Sequence, residues 1–267
     1  MLDGHPSTSE RAVELGRGEG GDQTVMIDAA AEELIFAELA ALHAAGHSFV
    51  AISEERGTVR FDGPQLAGAG AAGGLRVVVD PIDGSLNAKR RLSPYTVSIA
   101  VADGPTMADV SFGFVYDFGS AEEWTAERGR GALLNDVALS VDGSERRNAS
   151  GLLELVAIEM AWPRALAAST PALAGAAHRL RTFGSIAFSL CQLAGGRLDG
   201  VATLSRARSV DTAAAQLIVR ESGGHVAFIA CEDPLGASLE MTDRSPVIAA
   251  QTQAALAQLR GVPSSQA

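Results

Sequence analysis

Apolar positions along the chain recur with two periods, and the switching between them predicts the elements. Between Asp28 and Ala45 they fall three or four residues apart. Ala31, Leu34, Ile35, Leu39 and Leu42 then share one face, which predicts a helix closed by Gly46. Two short apolar runs, Ser48-Phe49-Val50-Ala51-Ile52 and Leu75-Arg76-Val77-Val78-Val79, read as buried strands, with Pro81 and Gly84 expected to stop the second. Segments 95–102, 110–117 and 121–126, separated by Gly- or Asp-containing turns, predict three further strands. After a turn at Asp142-Gly143-Ser144 the periods alternate. Strands at 152–158, 179–183, 197–203 and 225–230 are interleaved with helices at 163–177, 185–194 and 211–221. This order predicts an α+β lobe over residues 1–145 and an α/β lobe over 146–267. The polar, Gly-rich start (1–23), with a loop over Arg17-Gly18-Glu19-Gly20-Gly21-Asp22, the Gly/Ala-rich segment 63–74 and the tail 261–267 interrupt the pattern and read as loops and a frayed end.

Composition narrows the class. A chain of 267 residues has ample core, and 29 glycines with only 5% aromatics favour close backbone packing over an aromatic-lined pocket. A net charge of −11 argues against a nucleic-acid surface, which carries a basic patch. Cys191 and Cys231 form no framework, and Cys191 lies inside the apolar helix Ile186–Cys191 as a core thiol. The N-terminus lacks a basic region followed by an apolar run, and no stretch reaches the roughly 20 residues of a membrane span. The expectation is a reduced, soluble, cytoplasmic protein with no nucleic-acid or membrane partner. His5, His43, His47, His178 and His225 lack zinc-site spacing, and the glycines at 68–74 lack a nucleotide-loop pattern.

Asp80-Pro81-Ile82-Asp83-Gly84-Ser85 changes the picture. Two carboxylates emerge where a strand breaks, followed at once by Gly84 and Ser85, whose backbone N–H groups can face an anion. Carboxylates beside an anion cradle repel a phosphate unless cations lie between them, and a hard divalent ion with oxygen ligands, Mg²⁺, is the natural bridge. Asp80 and Asp83 can face one ion, Asp80 can bridge two, and the Ile82 carbonyl can add an oxygen. An isolated Asp-x-x-Asp-Gly is more often a turn whose aspartates cap backbone N–H groups. The matching contexts of Ser53-Glu54-Glu55, after one strand, and Ser209-Val210-Asp211, opening a helix, favour the metal.

These motifs, in the order Glu-Glu, Asp-Pro-Ile-Asp-Gly-Ser and Asp211-x-Ala-Ala-Ala with Glu221-Ser222-Gly223-Gly224, resemble the inositol monophosphatase family. The wider group includes fructose-1,6-bisphosphatases and bisphosphonucleoside phosphatases. The likeness runs from about Arg17 to Leu259. It implies a layered αβαβα sandwich with the site between the lobes, and a homodimer. It implies that Glu54, Asp80 and the Ile82 carbonyl hold one ion and that Asp80, Asp83 and Asp211 hold a second. Four carboxylates and a dianionic phosphate carry about −6, so two or three Mg²⁺ nearly neutralise them. Strand alternation cannot choose between Glu54 and Glu55; the family's pattern selects Glu54. By the same resemblance Glu54 orients the attacking water and Ser85 relays its proton to Asp28, a residue that an N-cap role would also explain. Asp83, Gly84, Ser85 and the turn Gly184-Ser185-Ile186 hold the substrate, with Ser185 equally readable as a helix N-cap.

Basic groups and departures from the family bear on the substrate, a small phosphorylated metabolite. Lys89-Arg90-Arg91 reads as a solvated turn or a second phosphate anchor, and Arg206 and Arg208 are a further candidate anchor. Seven residues before Asp211 the inositol-specific pattern has a carboxylate where this chain has Leu204, and Val210 replaces a tryptophan. Ser53 stands where the family has glycine. The expectation is a Mg²⁺-dependent phosphomonoesterase acting on a sugar or inositol phosphate. Fructose-1,6-bisphosphatase or a dual-activity enzyme is the alternative, then a 3′-phosphoadenosine nucleotide phosphatase, then a non-catalytic metal- and phosphate-binding regulator.

Overall fold

The computed structural model describes residues 14–17, 23–63, 74–140 and 145–262. The expectations for the loop at 18–22, most of the Gly/Ala segment, the Asp142-Gly143-Ser144 turn and the last five residues lie outside them. An eight-stranded sheet contains β3 (Phe49–Ser53), β4 (Gly57–Phe61), β5 (Arg76–Asp83), β6 (Thr96–Ala102), β7 (Val110–Asp117), β8 (Glu122–Glu127), β9 (Gly131–Leu134) and β10 (Val137–Leu139). Its order is β10-β9-β8-β7-β6-β5-β3-β4, antiparallel except where β3 meets β5. A second sheet has five strands: β11 (Leu153–Glu159), β12 (Ala177–Arg181), β13 (Gly200–Thr203), β14 (His225–Phe228) and β15 (Val247–Ala250). Its order is β12-β11-β13-β15-β14, with β11, β12 and β13 parallel. A small ribbon of β1 (Glu14–Arg17) and β2 (Gln23–Val25) precedes them.

Helices fill the layers. Helix α1 (Met26–Ala44) covers the outer face of the first sheet, where Phe36 and Leu39 pack with Phe49 and Ala51. Between the sheets lie α4 (Ile186–Ala194) and α5 (Ser209–Glu221), preceded in the chain by α2 (Ser85–Arg90) and α3 (Pro163–Ala176). The central core joins Ile52, Val78 and Trp124 of one sheet to Ala157, Val201 and Val247 of the other through these two helices. Alternate residues of the same strands, Val156, Ala202 and Ile248, face the other way onto α3 and α6 (Gln253–Leu259). Strands β11, β13 and β15 are thus apolar on both faces, as strands covered on both sides require, while edge strand β12 is largely exposed. The result is the αβαβα sandwich. No helix among the described residues is long and apolar enough to cross a membrane.

Two expectations need correction. Leu34 and Leu42 on α1 are 59% and 49% exposed, whereas Ile27 and Phe36 are buried. The sheet edge beneath α1 accepts only a narrow stripe, centred on the Phe36, Phe49 and Phe61 rings, and the wider stripe suggested by leucine spacing overhangs it. Nor does Pro81 stop β5, which runs on to Asp83. Its pairing with β3 has already ended at Val79, and its register with β6 slips between Asp80 and Asp83, so the missing proline N–H falls in an irregular stretch of the ladder. The unpredicted elements β1, β2, β4, β9, β10, β15, α2 and α6 are short, between three and seven residues, too brief for a period to register.

Candidate active site

The continuation of β5 sets the geometry. Asp80 lies opposite Ser98 and Asp83 opposite Thr96, so three steps on β5 match two on β6. A regular strand would send residues three apart to opposite faces; the extra residue of this bulge turns both carboxylates to the same one. Glu54 arrives from the end of β3, next to β5 in the sheet. Asp211 arrives as the third residue of α5, where its Oδ2 accepts the backbone N–H of Arg208 at 3.0 Å. Helix α5 comes this close because β7 carries Gly113, where a Cβ would stand 2.6 Å from the Ala214 carbonyl oxygen.

Glu54, Asp80 and Asp211 are buried, and each offers an oxygen within 4.8 Å of the others. Asp80 Oδ1 accepts the Ile82 N–H at 3.0 Å, while its Oδ2 is buried without a hydrogen-bond partner among the described residues. Burial pushes the Glu54 carboxyl up to about 8, against the pull of Arg208 and with Asp211 adding to the rise. Burial and then the charges of Glu54, Asp83 and Asp211 drive Asp80 well above its ordinary value. Three crowded carboxylates with an orphaned oxygen are an arrangement that a hard, oxygen-seeking divalent cation would satisfy, so the donor set fits such an ion. Glu54 rather than Glu55 faces the cluster; Glu55 is only half-buried.

Asp83 sits beside this group and outside it. Its Oδ2 accepts the Ser185 hydroxyl at 2.7 Å and the Ala187 N–H at 2.6 Å, at the start of α4. Burial and the Asp211 charge push its carboxyl up to about 7, and these hydrogen bonds oppose the rise. Ser185 also accepts the Phe188 N–H at 3.2 Å, so it is an N-cap and a partner of Asp83 at once. Gly84 and Gly184 meet across this seam in the left-handed region, at φ 95° and 80°. A Cβ on Gly84 would lie 3.2 Å from the Gly184 carbonyl oxygen. Glycine is required here for both reasons. Ile186 follows as a buried first residue of α4.

Sequence reasoning missed Glu159. This carboxylate, at the end of β11 and 1% exposed, accepts the N–H groups of Phe183 at 3.0 Å and Gly184 at 2.9 Å, and the Ser189 hydroxyl at 2.7 Å. It fixes the turn before Ser185 from the side opposite Asp83. The signal was a lone glutamate ending an apolar strand, in Val156-Ala157-Ile158-Glu159.

The remaining candidates divide. Ser85 opens α2, and its hydroxyl donates to the Ile82 carbonyl at 2.9 Å, so two predicted site groups engage each other. Asp28 is buried in the first turn of α1, two residues inside its start rather than at the cap, beside Ile27, which packs on Ile82 and Ala88. Arg208 is not turned outward to receive a phosphate. It ion-pairs with Glu54 and, at 3.0 Å, with Asp211, and these carboxylates and Asp80 hold its charge despite burial. Arg206 is exposed, and Lys89, Arg90 and Arg91 close α2 at the surface. Leu204 is fully buried among Val156, Ile158 and Leu256, so its side chain is core rather than a wall facing sugar hydroxyls. Val210 and Cys191 likewise belong to the central core.

A model of the inositol monophosphatase family matches residues 4–262. The chain is 32% identical over 216 residues to a fructose-1,6-bisphosphatase/inositol-1-monophosphatase of Methanothermobacter thermautotrophicus, covering 78% of this chain and 72% of that protein. It is 33% identical over 221 residues to the Nus factor SuhB of Escherichia coli K12, covering 80% and 75%. Among solved structures, an inositol monophosphatase–fructose 1,6 bisphosphatase superposes with a TM-score of 0.79 at 24% identity, over 98% of this chain and 93% of that one. The extragenic suppressor protein SuhB of Bartonella henselae superposes with 0.74 at 23%, over 99% and 93%.

Proposed function

The chain belongs to the inositol monophosphatase family, whose members are phosphatases that hydrolyse phosphomonoesters, and on that premise we propose that it is a Mg²⁺-dependent enzyme acting on inositol 1-phosphate and fructose 1,6-bisphosphate. The observation that carries the reading is the buried Glu54–Asp80–Asp211 group with the unpartnered Asp80 Oδ2. Glu54, Asp80, Asp211 and the Ile82 carbonyl hold the cation, and Asp83 completes the negative wall. When bound, a hard divalent ion supplies Lewis acidity and offsets the charge of the phosphate.

The chain's own residues do the rest. Gly84 and Ser85 present backbone N–H groups to the phosphate, and the turn Gly184-Ser185-Ile186 forms the facing wall, held by Asp83 on one side and Glu159 on the other. Glu54 orients the attacking water. Ser85 Oγ turns from the Ile82 carbonyl to take a proton from that water, and Asp28 receives the serine's own proton. As the water oxygen bonds to phosphorus the P–O ester bond breaks, and the leaving oxygen takes a proton from solvent water as the alcohol departs. In this reading the nucleophile is the water itself, with Ser85 and Asp28 serving only to carry its proton away, so attack is direct and no phosphoenzyme forms.

EDTA-stripped protein is assayed on inositol 1-phosphate, fructose 1,6-bisphosphate and 3′-phosphoadenosine 5′-phosphate, with and without added Mg²⁺. Turnover of the first two, restored by Mg²⁺, is expected. Hydrolysis unaffected by stripping, or none of any ester with Mg²⁺ present, overturns the reading.

A further inference from the structure

One cation of the chain already stands among the carboxylates. The Arg208 guanidinium reaches Glu54 through Nη1, and Asp211 Oδ1 through Nη2 at 3.0 Å and Nε at 3.2 Å, with its side chain only 15% exposed. These are two of the three residues that form the candidate ion group. Fully ionised, the three carboxylates carry −3, and Arg208 brings the group to −2. The charge of the third, Asp80, also acts on the guanidinium, but Asp80 Oδ2 is buried without a hydrogen-bond partner among the described residues. A planar fork satisfies two carboxylates in line, whereas a divalent ion can draw in all three from different directions.

The two cations compete for one space. Glu54 and Asp211 turn their oxygens toward Arg208, and an ion accepting those oxygens must replace the guanidinium. The backbone need not follow, because the Arg208 N–H stays bound to Asp211 Oδ2 at 3.0 Å and keeps the start of α5 in place. Only the flexible side chain has to move.

We propose that Arg208 is the residue that sets the affinity of this site for its divalent ion, acting as an internal counter-cation that holds Glu54 and Asp211 together before the ion enters and gives them up when it binds. The inference rests on the metal-site reading above. It makes Arg208 a competitor of the ion and not a support for its ligands, and the two roles differ in sign.

The test uses EDTA-stripped full-length protein and Mg²⁺ alone, with no substrate. Arg208→Gln is compared with the parent by thermal melting without metal and by calorimetric titration with Mg²⁺. Removing the guanidinium leaves buried carboxylates uncompensated, so the metal-free midpoint should fall by several degrees. Removing the competitor should tighten Mg²⁺ binding by about tenfold, the scale of a charge-assisted hydrogen bond. Saturating Mg²⁺ should bring the two midpoints together. Arg208→Lys keeps a charge without the bidentate fork and should fall between them; it carries the measurement if the glutamine variant does not fold without metal. Unchanged or weaker Mg²⁺ binding in both variants overturns the inference. Failure of the proposed function shows instead as absent turnover in the parent, which leaves the calorimetric comparison intact.

Discussion

Asp83→Asn should separate chemistry from folding at one residue, because it removes a charge and keeps a shape. The asparagine carbonyl can still accept the Ser185 hydroxyl and the Ala187 N–H, now at 2.7 and 2.6 Å, so the seam to α4 should survive. What disappears is the negative charge beside Asp211 and the proposed ion. Loss of one electrostatic stabiliser costs about 10²-fold or more in kcat. Stability should move the other way. The Asp83 carboxyl is raised from 3.8 to about 7 by burial and by Asp211. At pH 8, holding it ionised in the fold then costs on the order of 4 kcal/mol, which the amide does not incur. For a chain of this size that corresponds to roughly 10 °C in the melting midpoint of the metal-free protein. The assays are kcat at saturating Mg²⁺ and a thermal melt in EDTA at pH 8. Near-normal kcat with unchanged Mg²⁺ affinity would remove Asp83 from the chemistry. A midpoint that fails to rise would refute the argument that burial and like charge strain this site.

Two further outcomes follow from the same geometry. Glu159→Gln can accept only one of the Phe183 and Gly184 N–H groups and turns its own NH₂ on the other, leaving an orphaned donor that costs about 1–3 kcal/mol. KM should rise more than kcat falls; a lower melting point with KM intact would make Glu159 purely structural. Metal-free stability should fall as pH rises between about 4 and 8, because Glu54, raised to about 8, and Asp83, raised to about 7, keep protons in the fold that the unfolded chain has released. Melts in EDTA across that window measure it, Mg²⁺ should abolish the decline, and a flat metal-free profile would count against the crowded-carboxylate picture.

The sequence by itself determined the alternation of strands and helices and the chemical type of the site, and through its family resemblance the layered architecture. Strands such as Val156–Ile158 are apolar at every position, which demands cover on both faces, and helices between them provide it. Glu54 and Asp211 were legible because each sits at an element end, and Asp80, inside β5, because Pro81 and the Asp83-Gly84-Ser85 turn follow it, local signals that need no partner in space. Tertiary structure decided the rest. Pro81 looks like a strand stop until the neighbouring strand is seen to have ended already, and only the bulge opposite β6 turns Asp80 and Asp83 to one side. Asp83 lies against α4, Arg208 lies among carboxylates, and Leu204 lies in the core, because those positions depend on which layer each element packs against. Glu159 ends a strand like many surface glutamates, and its role comes from a turn 24 residues further along the chain. Periodicity and turn chemistry act between neighbours in sequence, whereas pairing of charges and donors is fixed by contacts that form only when the two sheets close over α4 and α5.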